Sequence, residues 1–312
     1  MDPKYLVQLA VIVELGSVTK AAQKLNVTQP TLSRSVKIIE DRVGGAVLRR
    51  GRYGVTPTDI GTRLAHEGRA ILRQSERARS AIQEWKHGLT GEVRIGVGPM
   101  LATTIMGDFF AQAVADPPSY RMQVLCEYAA RLVDRLHNDQ VDVAIIPHEL
   151  SRNEETLIRE ELFQDWLSVF VGRDDPLAGK SGVSPLDLAQ HHWISVGEIS
   201  GLFDTTRETL DQWGLTDVTP MLENTGDVTM TFRMLETTKS CSVLPYRQLC
   251  AFQDRFHVAP VYMDVELPAR NVSVWTSAQG RDKPEIVDFL TRLRTYIRQI
   301  GLSQRTDSGG MT

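Results

Sequence analysis

Cysteine is scarce, and the sequence contains no long apolar run. Its three cysteines among 312 residues, Cys126, Cys241 and Cys250, indicate a reducing compartment rather than a disulfide framework. No apolar run approaches the roughly 20 residues that a membrane-spanning helix needs. The first residues also lack the basic start, apolar core and small-residue cleavage site of a signal peptide. These absences predict a cytoplasmic protein that does not contact a membrane.

Residue patterns that carry catalysis, or that hold a metal or a dinucleotide, are missing as well. Gly96 and Gly98 follow a predicted strand, but Leu101 stands where a dinucleotide fingerprint has its third glycine. His191 and His192 have no Cys or carboxylate at ligand spacing, so we interpret them as a surface pair. Nothing resembles a Ser-His-Asp elbow or a phosphate-binding loop. We therefore predict no enzyme activity, no cofactor and no metal site.

The net charge of −4 conceals an uneven distribution. Residues 1–90 hold 15 Lys and Arg against 8 Asp and Glu, a net of +7, whereas residues 91–312 hold 20 against 31, a net of −11. The alternative is that the charged residues are unevenly distributed by chance. The asymmetry predicts that the N-terminal part meets a polyanion and that the remainder does not.

Apolar spacing divides the first 45 residues into three helices. Gly16 closes the first helix, Ser17 caps the second, Asn26 makes a tight turn and Thr28 caps the third. The third helix carries a core stripe of Leu32, Val36, Ile39 and Val43. Its opposite face presents Gln29, Thr31, Ser33, Arg34 and Lys37. Amides and hydroxyls can contact base edges and cations can contact phosphates, so this face is predicted to read DNA.

A basic hairpin follows the third helix. Two short strand-like pieces surround residues 51–54 and cluster Arg49, Arg50 and Arg52, as a wing that touches the DNA backbone or minor groove would. Residues 17–56 hold 8 Lys and Arg against 2 Asp and Glu. A small helical domain with a solvated basic face would explain the stripe, but not the order of helix, turn, polar-faced helix and basic hairpin.

Residues 17–61, SVTKAAQKLNVTQPTLSRSVKIIEDRVGGAVLRRGRYGVTPTDIG, resemble the LysR-type transcriptional regulators. Gln29–Pro30, Ser33, Arg34, Glu40 and Gly44 fall in register with the family pattern, whereas Val47–Leu48 replaces its usual Leu-Phe. The resemblance implies that α-helical residues of the third helix approach the major groove and that Arg52 serves the wing. The second helix is expected to meet phosphate through its N-terminus. The predicted DNA-binding residues are Ser17, Thr19, Thr28, Gln29, Pro30, Thr31, Ser33, Arg34, Lys37, Arg49, Arg50 and Arg52.

A long helix is predicted over residues 59–86, capped by Thr58. Its apolar residues Leu64, Ile71, Ala78 and Trp85 are seven apart, a spacing that suits pairing of two chains or packing on the chain's own domain. The resemblance implies that this helix is a dimerisation element. A dimer in turn implies a pseudo-palindromic DNA site. Residues 87–91 are predicted to be a hinge.

After residue 91 strands alternate with helices, which predicts an α/β fold with parallel sheets. Strands are expected at 92–97, 121–126, 141–146, 167–171, 193–196, 242–244 and 272–275, and helices at 101–115, 129–138 and 284–300. The stretches VRIGVG, QVDVAII and CSVLP resemble landmarks of the family's sensor, a two-subdomain fold like the type 2 periplasmic binding proteins. The resulting prediction is a winged helix-turn-helix at 1–58, a linker helix and hinge at 59–90 and an effector-binding domain at 91–312. Its subdomain I covers about 91–165 and 268–300, and subdomain II about 166–267.

An effector is expected outside the carboxyl ends of the strands, near helix N-termini. Family members often place a hydroxyl at the position of Met100 and another at that of Ala129, and both hydroxyls are absent here. This departure argues against the usual small aromatic carboxylate, and it predicts a more apolar pocket or an acid group held by backbone amides alone. An ordinary packing role is the alternative for each residue. The predicted effector-site residues are Pro99, Met100, Thr103, Thr104, Ala129, Gly201, Phe203 and Thr225.

The sequence thus predicts a LysR-type regulator, a homodimer or homotetramer that binds double-stranded DNA and a small-molecule effector of unknown identity. RNA polymerase is left open as a further partner. Cys241 and Cys250 have a spacing similar to that of a peroxide-sensing family member, but the apolar context of Cys241 predicts a buried, inert thiol. The alternative is a solute-binding or catalytic α/β protein with an accidental basic domain. Such a protein would bind DNA weakly and without sequence preference.

Overall fold

The computed structural model describes residues 1–51, 54–86, 88–147, 156–196, 210–211, 213–214, 220–224, 227–251, 255–264, 269–278 and 280–302. Within these ranges the side chains of Arg50, Arg77, Ser80, Gln83 and Glu84 are left undescribed. The chain divides into two compact units, Met1–His87 and Gly88–Thr312, and each is treated by itself below. In the described ranges, every helix is too short or too polar to cross a membrane.

The first unit consists of four helices and one hairpin. The helices are α1 (Pro3–Leu15), α2 (Val18–Lys24), α3 (Gln29–Val43) and α4 (Asp59–Lys86), and strands β1 (Leu48–Gly51) and β2 (Gly54–Pro57) pair antiparallel. The predicted caps are confirmed: Ser17 Oγ accepts from the Lys20 N–H at 3.3 Å and Thr28 Oγ1 from the Thr31 N–H at 3.4 Å. Gly44 ends α3 with a φ of 73°, the left-handed conformation that glycine adopts without cost.

The core of this unit lies between α1, α2, α3 and the first half of α4. Leu32 and Ile39 of α3 are fully buried and Val36 is half-buried, as the stripe predicts, but Val43 is 38% exposed, so the last turn of α3 extends past the core. On α4, Gly68 lies so close to α1 that a Cβ would stand 2.0 Å from the Leu6 carbonyl oxygen. The first half of α4 therefore packs on its own domain.

The second unit is built on a mixed ten-stranded sheet, in the order β4-β3-β5-β12-β6-β10-β8-β9, with β11 pairing β6 and β7. The strands are β3 (Glu92–Val97), β4 (Arg121–Cys126), β5 (Val143–Pro147), β6 (Leu157–Gly172), β7 (Ser181–Val183), β8 (His192–Val196), β9 (Leu222–Asn224), β10 (Ser240–Pro245), β11 (Val258–Met263) and β12 (Ala269–Ser277). Strands β3, β4 and β5 are parallel, but β12 runs antiparallel to β5 and β6, and β6 antiparallel to β10. The expectation of parallel sheets is therefore right only in part.

Helices cover this sheet. They are α5 (Pro99–Leu101), α6 (Gly107–Ala115), α7 (Ala129–His137), α8 (Val228–Thr237), α9 (Tyr246–Cys250) and α10 (Pro284–Gln299). A π-helical segment, Ala102–Met106, joins α5 to α6, and a 3₁₀ turn spans Pro185–Leu188. Buried apolar clusters lie under α6 and α10, around Phe109 and Phe289, and under α8, around Phe170 and Phe232.

Strand β6 divides the unit into two halves. Its residues Leu157 to Trp166 pair with β12, whereas Leu167 to Gly172 pair with β10 and β11. Strand β11 pairs with the second part of β6, and β12, the next strand along the chain, pairs with the first part. The first half thus contains β3, β4, β5, β12 and α10, and the second half contains β7 to β11 with α8 and α9.

One predicted surface pair is corrected by the structure. His191 is 8% exposed, and its Nε2 lies 2.9 Å from Asp175 Oδ2, although His192 is exposed as expected. The histidine is buried because it closes the turn before β8 over an apolar cluster that includes Leu188 and Trp193. No group of three or more metal-ligating side chains occurs in the part of the chain that the structure describes.

Candidate nucleic-acid interface and sensor cavity

The N-termini of α2 and α3 lie side by side. Asn26 adopts a φ of 51° in the turn between them, and the Val27 N–H donates to the Ala22 carbonyl at 3.0 Å. Thr19 at the start of α2 and Gln29 at the start of α3 bring Oγ1 and Oε1 to 3.5 Å. The first-turn amides of two helices, which attract anions, therefore share one surface.

The predicted recognition face of α3 is open to solvent. Gln29, Pro30, Thr31, Arg34 and Lys37 are exposed, and Ser33 is half-buried. Two hydroxyls are already engaged locally, since Thr28 Oγ1 and Thr31 Oγ1 lie 2.8 Å apart. Amide and cationic groups thus lie among the hydroxyls along one exposed side of the helix.

The hairpin is held against this helix pair by backbone and side-chain bonds. The Val55 N–H of β2 donates to the Gly16 carbonyl at 2.9 Å, which ties the wing to the turn before α2. Glu40 of α3 accepts from the Val47 N–H at 3.1 Å, and Thr58 Oγ1 donates to the Ala46 carbonyl at 2.9 Å. Thr58 Oγ1 also accepts from Gly61 N–H, which confirms Thr58 as the cap of α4.

Of the wing arginines, Arg49 is exposed on β1. The side chain of Arg50 and the whole of Arg52 lie outside the described residues. Glu40 has a role that the sequence pattern did not predict: its carboxylate fixes the base of the wing to α3. The signal that could have suggested this role is the position of Glu40, an acidic residue in the last turns of α3, a few residues before the hairpin begins.

In the second unit, the structure has a small cavity where β3 ends. The Gly98 N–H donates to the Ile145 carbonyl at 3.1 Å, so the chain turns into α5 directly beside β5. The cavity measures about 10 Å³, space for roughly one water molecule. It is lined by Gly98, Met100, Leu101, Ala129, Pro147, Gln248, Arg270 and Val272.

The predicted effector residues fall into three groups. Met100 and Ala129 line this cavity. Pro99, Thr103 and Thr104 are described but are not among its lining residues. The two threonine hydroxyls are engaged by their own helix, because Thr103 donates to the Pro99 carbonyl at 3.0 Å and the fully buried Thr104 to the Met100 carbonyl at 2.7 Å. The remaining three, Gly201, Phe203 and Thr225, lie outside the described residues.

Two polar residues on the cavity wall were missed by the sequence reasoning. Gln248, on α9 of the second half, is 1% exposed, and Arg270, at the start of β12 in the first half, is 3% exposed. A charged residue buried to this extent is rare in proteins. The available signal is weak: Arg270 is the only charged residue in its strand, ARNVSVWTS.

A buried carboxylate anchors α9 at the point where β6 passes between the halves. Asp165 is fully buried and accepts from the N–H groups of Trp166 at 2.8 Å, Arg247 at 2.7 Å and Gln248 at 3.2 Å. Burial raises the pKa of Asp165, against the opposing effect of these three donors. The Arg247 guanidinium also links the halves, since it donates to the Gln164 carbonyl at 2.8 Å and to that of Gly301 at 2.9 Å.

The cavity is therefore bordered by both halves of the unit. Helix α5, which contributes Met100 and Leu101 to its wall, continues into the π-helical segment Ala102–Met106. Such turns occur frequently at functional sites. A further bond between the halves joins Arg255, which follows α9, to Asp108 of α6. The cavity therefore lies beside contacts that join the two halves, since Gln248 on its wall follows Arg247.

Two family models match the chain in succession. "Bacterial regulatory helix-turn-helix protein, lysR family" matches residues 4–62, and "LysR substrate binding domain" matches residues 86–298. The nitrogen assimilation regulatory protein nac of Escherichia coli is 38% identical over 165 residues, 51% of this chain and 53% of that protein. The regulator CysL of Bacillus subtilis is 28% identical over 200 residues, 64% of this chain and 65% of that protein. The chain thus spans between half and two thirds of these relatives.

Solved structures share the fold over nearly the whole chain. Full-length OxyR from Pseudomonas aeruginosa superposes with a TM-score of 0.61 at 20% identity, covering 98% of this chain and 99% of that one. CbnR in complex with its target DNA superposes with a TM-score of 0.65 at 18% identity, covering 96% and 100%. At these identities the likeness concerns the architecture: an N-terminal helix-turn-helix, a long helix and an α/β domain.

Proposed function

The chain belongs to the LysR family of transcriptional regulators, and from that premise we propose that it binds DNA sequence-specifically under the control of a small molecule. The observation that carries the proposal is the solvent-open face of α3, with Gln29, Arg34 and Lys37, beside a basic wing. Amide and guanidinium groups are the donors and acceptors that read base edges in the major groove. A regulator acts by binding, so no enzyme activity is proposed.

Within the interface we assign different roles to different residues. Gln29, Pro30, Ser33 and Arg34 would approach base edges, whereas Ser17, Thr19 and the wing arginines would contact phosphate. Thr28 and Thr31 are bonded to each other and would orient the first turn of α3. This division predicts that sequence preference and salt dependence are lost by different substitutions.

Self-association is proposed to use the second half of α4. Ile82 is 55% exposed and Trp85 82% exposed, although the first half of the same helix is packed on α1. Large apolar side chains exposed together on one helix indicate a surface that a partner covers. A second copy of the chain would also supply the second recognition helix for a pseudo-palindromic site.

We further propose the domain boundaries and the location. Residues 1–58 form the DNA-binding domain, 59–90 the linker helix and hinge, and 91–312 the sensor. Its subdomain I would cover about 91–165 and 268–300, and subdomain II about 166–267. The change of partners along β6 near Asp165 supports this division. A DNA-binding regulator with so few cysteines fits the cytoplasm.

A selection from random double-stranded DNA, followed by anisotropy titrations of the selected site and its single-base variants, tests the proposal. Gln29→Ala is expected to flatten preference at one or two base pairs by about 1–3 kcal/mol. Arg49→Ala is expected to weaken all sequences alike and to reduce the salt slope by about one. Lys24→Ala is the matched control, because Lys24 pairs with Glu14 and lies outside the proposed contacts.

One result would contradict this function, and a second would contradict the role of one residue. A selection without any enriched sequence would indicate an accidental basic domain that binds by charge alone. Equal losses on all sequences for Gln29→Ala would remove Gln29 from base readout.

A further inference from the structure

We propose that Thr19 is a specificity-determining residue of the DNA interface, because its hydroxyl orients the side-chain amide of Gln29. The inference rests on the proposed function and deepens it, since it names the kind of base edge that Gln29 reads. For Thr19 it replaces the phosphate contact proposed above. Thr19 lies in the first turn of α2, and Gln29 lies in the first turn of α3.

The backbone holds these two residues at a fixed spacing. In the turn between the helices, the Val27 N–H donates to the Ala22 carbonyl at 3.0 Å. Ala22 and Leu32 are buried in one apolar cluster, where α2 packs on α3. The distance between the two side chains therefore depends on their own rotamers and not on a movement of the helices.

The Thr19 hydroxyl bonds differently from most threonine hydroxyls of this protein. Thr19 Oγ1 donates across the turn to Gln29 Oε1, 3.5 Å away, and among the described residues it has no other acceptor. The distance is at the long end for a hydrogen bond, but both side chains are exposed, so a small rotation of either shortens it. Six threonines of the second unit instead donate to the carbonyl of the residue four positions earlier: Thr103, Thr104, Thr237, Thr238, Thr291 and Thr295.

This contact decides which end of the Gln29 amide meets the DNA. The amide oxygen accepts, the amide nitrogen donates, and the two lie on opposite sides of a planar group. With Oε1 turned toward Thr19, Nε2 points away from α2, and in the part of the chain that the structure describes it has no acceptor. Thr28 and Thr31 do not compete for the amide, because their hydroxyls bond each other at 2.8 Å. Gln29 therefore presents hydrogen-bond donors to the groove.

A fixed amide makes Gln29 selective. An amide that can turn over pairs with an acceptor through its nitrogen or with a donor through its oxygen, so it tolerates every base. In the major groove guanine and thymine offer acceptors, adenine offers an acceptor and a donor, and cytosine offers only a donor. We therefore expect Gln29 to face guanine, thymine or adenine and to reject cytosine at that position.

The test uses the full-length protein and the site selected from random DNA. Gln29→Ala first identifies the base position that Gln29 reads, and anisotropy titrations then compare all four bases at that position. The wild type is expected to bind the cytosine variant about tenfold or more weakly than the preferred base. Thr19→Val keeps the shape and removes the hydroxyl, so this difference is expected to fall to about threefold or less. The salt slope is expected to stay the same, because no charge is removed.

Three further variants assign the effect to the contact between the two side chains. Thr19→Ser keeps the hydroxyl and is expected to keep most of the discrimination against cytosine. In the Gln29→Ala background, Thr19→Val is expected to change nothing further at that position, since the amide on which it acts is absent. Thr62→Val is the matched control, because Thr62 is an exposed threonine of α4 outside the proposed contacts.

Several outcomes would overturn the inference. A wild-type preference for cytosine would mean that the amide is reversed, and full discrimination in Thr19→Val would mean that the hydroxyl does not orient it. Equal weakening of all four sequences in Thr19→Val would indicate a phosphate contact instead, and equal weakening in Gln29→Ala would leave no base readout to orient. Each of these results leaves selective DNA binding intact and rejects only the role of Thr19. A wild-type selection without any enriched sequence rejects the proposed function and this inference with it.

Discussion

Gly54 decides where the wing sits, and its replacement by alanine is the sharpest test of the interface geometry. Its φ is 130°, a conformation that side chains rarely adopt, and a Cβ would stand 2.4 Å from the Gly16 carbonyl oxygen. That same oxygen accepts from the Val55 N–H at 2.9 Å. The Cβ is fixed by the backbone of residue 54, and the atom it would meet is a backbone oxygen, so neither can rotate away. Alanine can therefore be accommodated only if the wing moves away from the turn before α2.

The expected cost of Gly54→Ala combines two effects. A side chain in this backbone region costs about 1–3 kcal/mol, and loss of the backbone hydrogen bond costs about 0.5–1.5 kcal/mol. We therefore expect the wing to be destabilised by about 1.5–4.5 kcal/mol. Gly51→Ala is the matched control in the same hairpin. Among the described residues its Cβ would meet only the Gly54 carbonyl oxygen, at 3.9 Å, so it should change stability by less than about 0.5 kcal/mol.

Hydrogen exchange read by mass spectrometry on the peptide 48–58 measures this effect directly. The Val55 amide is expected to exchange roughly 10- to 2000-fold faster in Gly54→Ala. DNA titrations should show a smaller salt slope for that variant, because an undocked wing no longer holds its arginines at the backbone. Equal exchange in Gly54→Ala and Gly51→Ala would refute the close approach and with it the placement of the wing.

Three further predictions concern the rest of the chain. Trp85→Glu is expected to weaken self-association by roughly tenfold or more, as loss of a buried apolar anchor does; an unchanged sedimentation-velocity profile would argue against α4 as the interface. Burial opposes ionisation of Asp142, but the hydrogen bonds and charge of Arg94 outweigh it and hold the pKa of Asp142 below its usual value. The stability from this pair is thus present at neutral pH and lost as pH falls through that lowered pKa. Asp142→Asn should lower the thermal midpoint at pH 7 and lose less on acidification, and parallel midpoint curves between pH 3 and pH 7 would contradict this. Iodoacetamide should label exposed Cys126 in the folded protein and Cys241 only after unfolding, because burial raises the pKa of the Cys241 thiol; equal labelling by mass spectrometry would show that β10 is open.

Much of the first unit is predictable because its signals are local. The caps at Ser17 and Thr28 lie within three residues of the amides they accept from, and the stop at Gly44 follows from its own φ. Helical spacing placed Leu32 and Ile39 in the core, and the polar residues between them had to face outwards. Only the last turn of α3 departs, where Val43 extends past the neighbouring helices.

Prediction was poorer where pairing partners are distant in the chain. The first half of β6, LIREELFQDW, mixes charged and apolar residues without a regular alternation. It was not predicted, because it pairs with β12, a strand about a hundred residues later in the chain. His191 was predicted to be a surface residue, because nothing near it in the sequence indicates that its ring nitrogen will be hydrogen-bonded to Asp175. The hydroxyls of Thr103 and Thr104, in the π-helical segment after α5, could donate a hydrogen bond either to a ligand or to a helix carbonyl. Only the backbone geometry shows that they donate to helix carbonyls.

By itself, then, the sequence determined the order of the parts, the charge of each part and the face of α3 that meets solvent, because these depend on spacing over a few residues. The tertiary structure alone decided that Gln248 and Arg270 join the predicted Met100 and Ala129 on the wall of the cavity. Met100, Gln248 and Arg270 belong to three separate stretches of the chain, and a sheet that β6 carries through both halves brings them to one place. Side chains that meet only through long-range strand pairing leave no periodic pattern in the sequence.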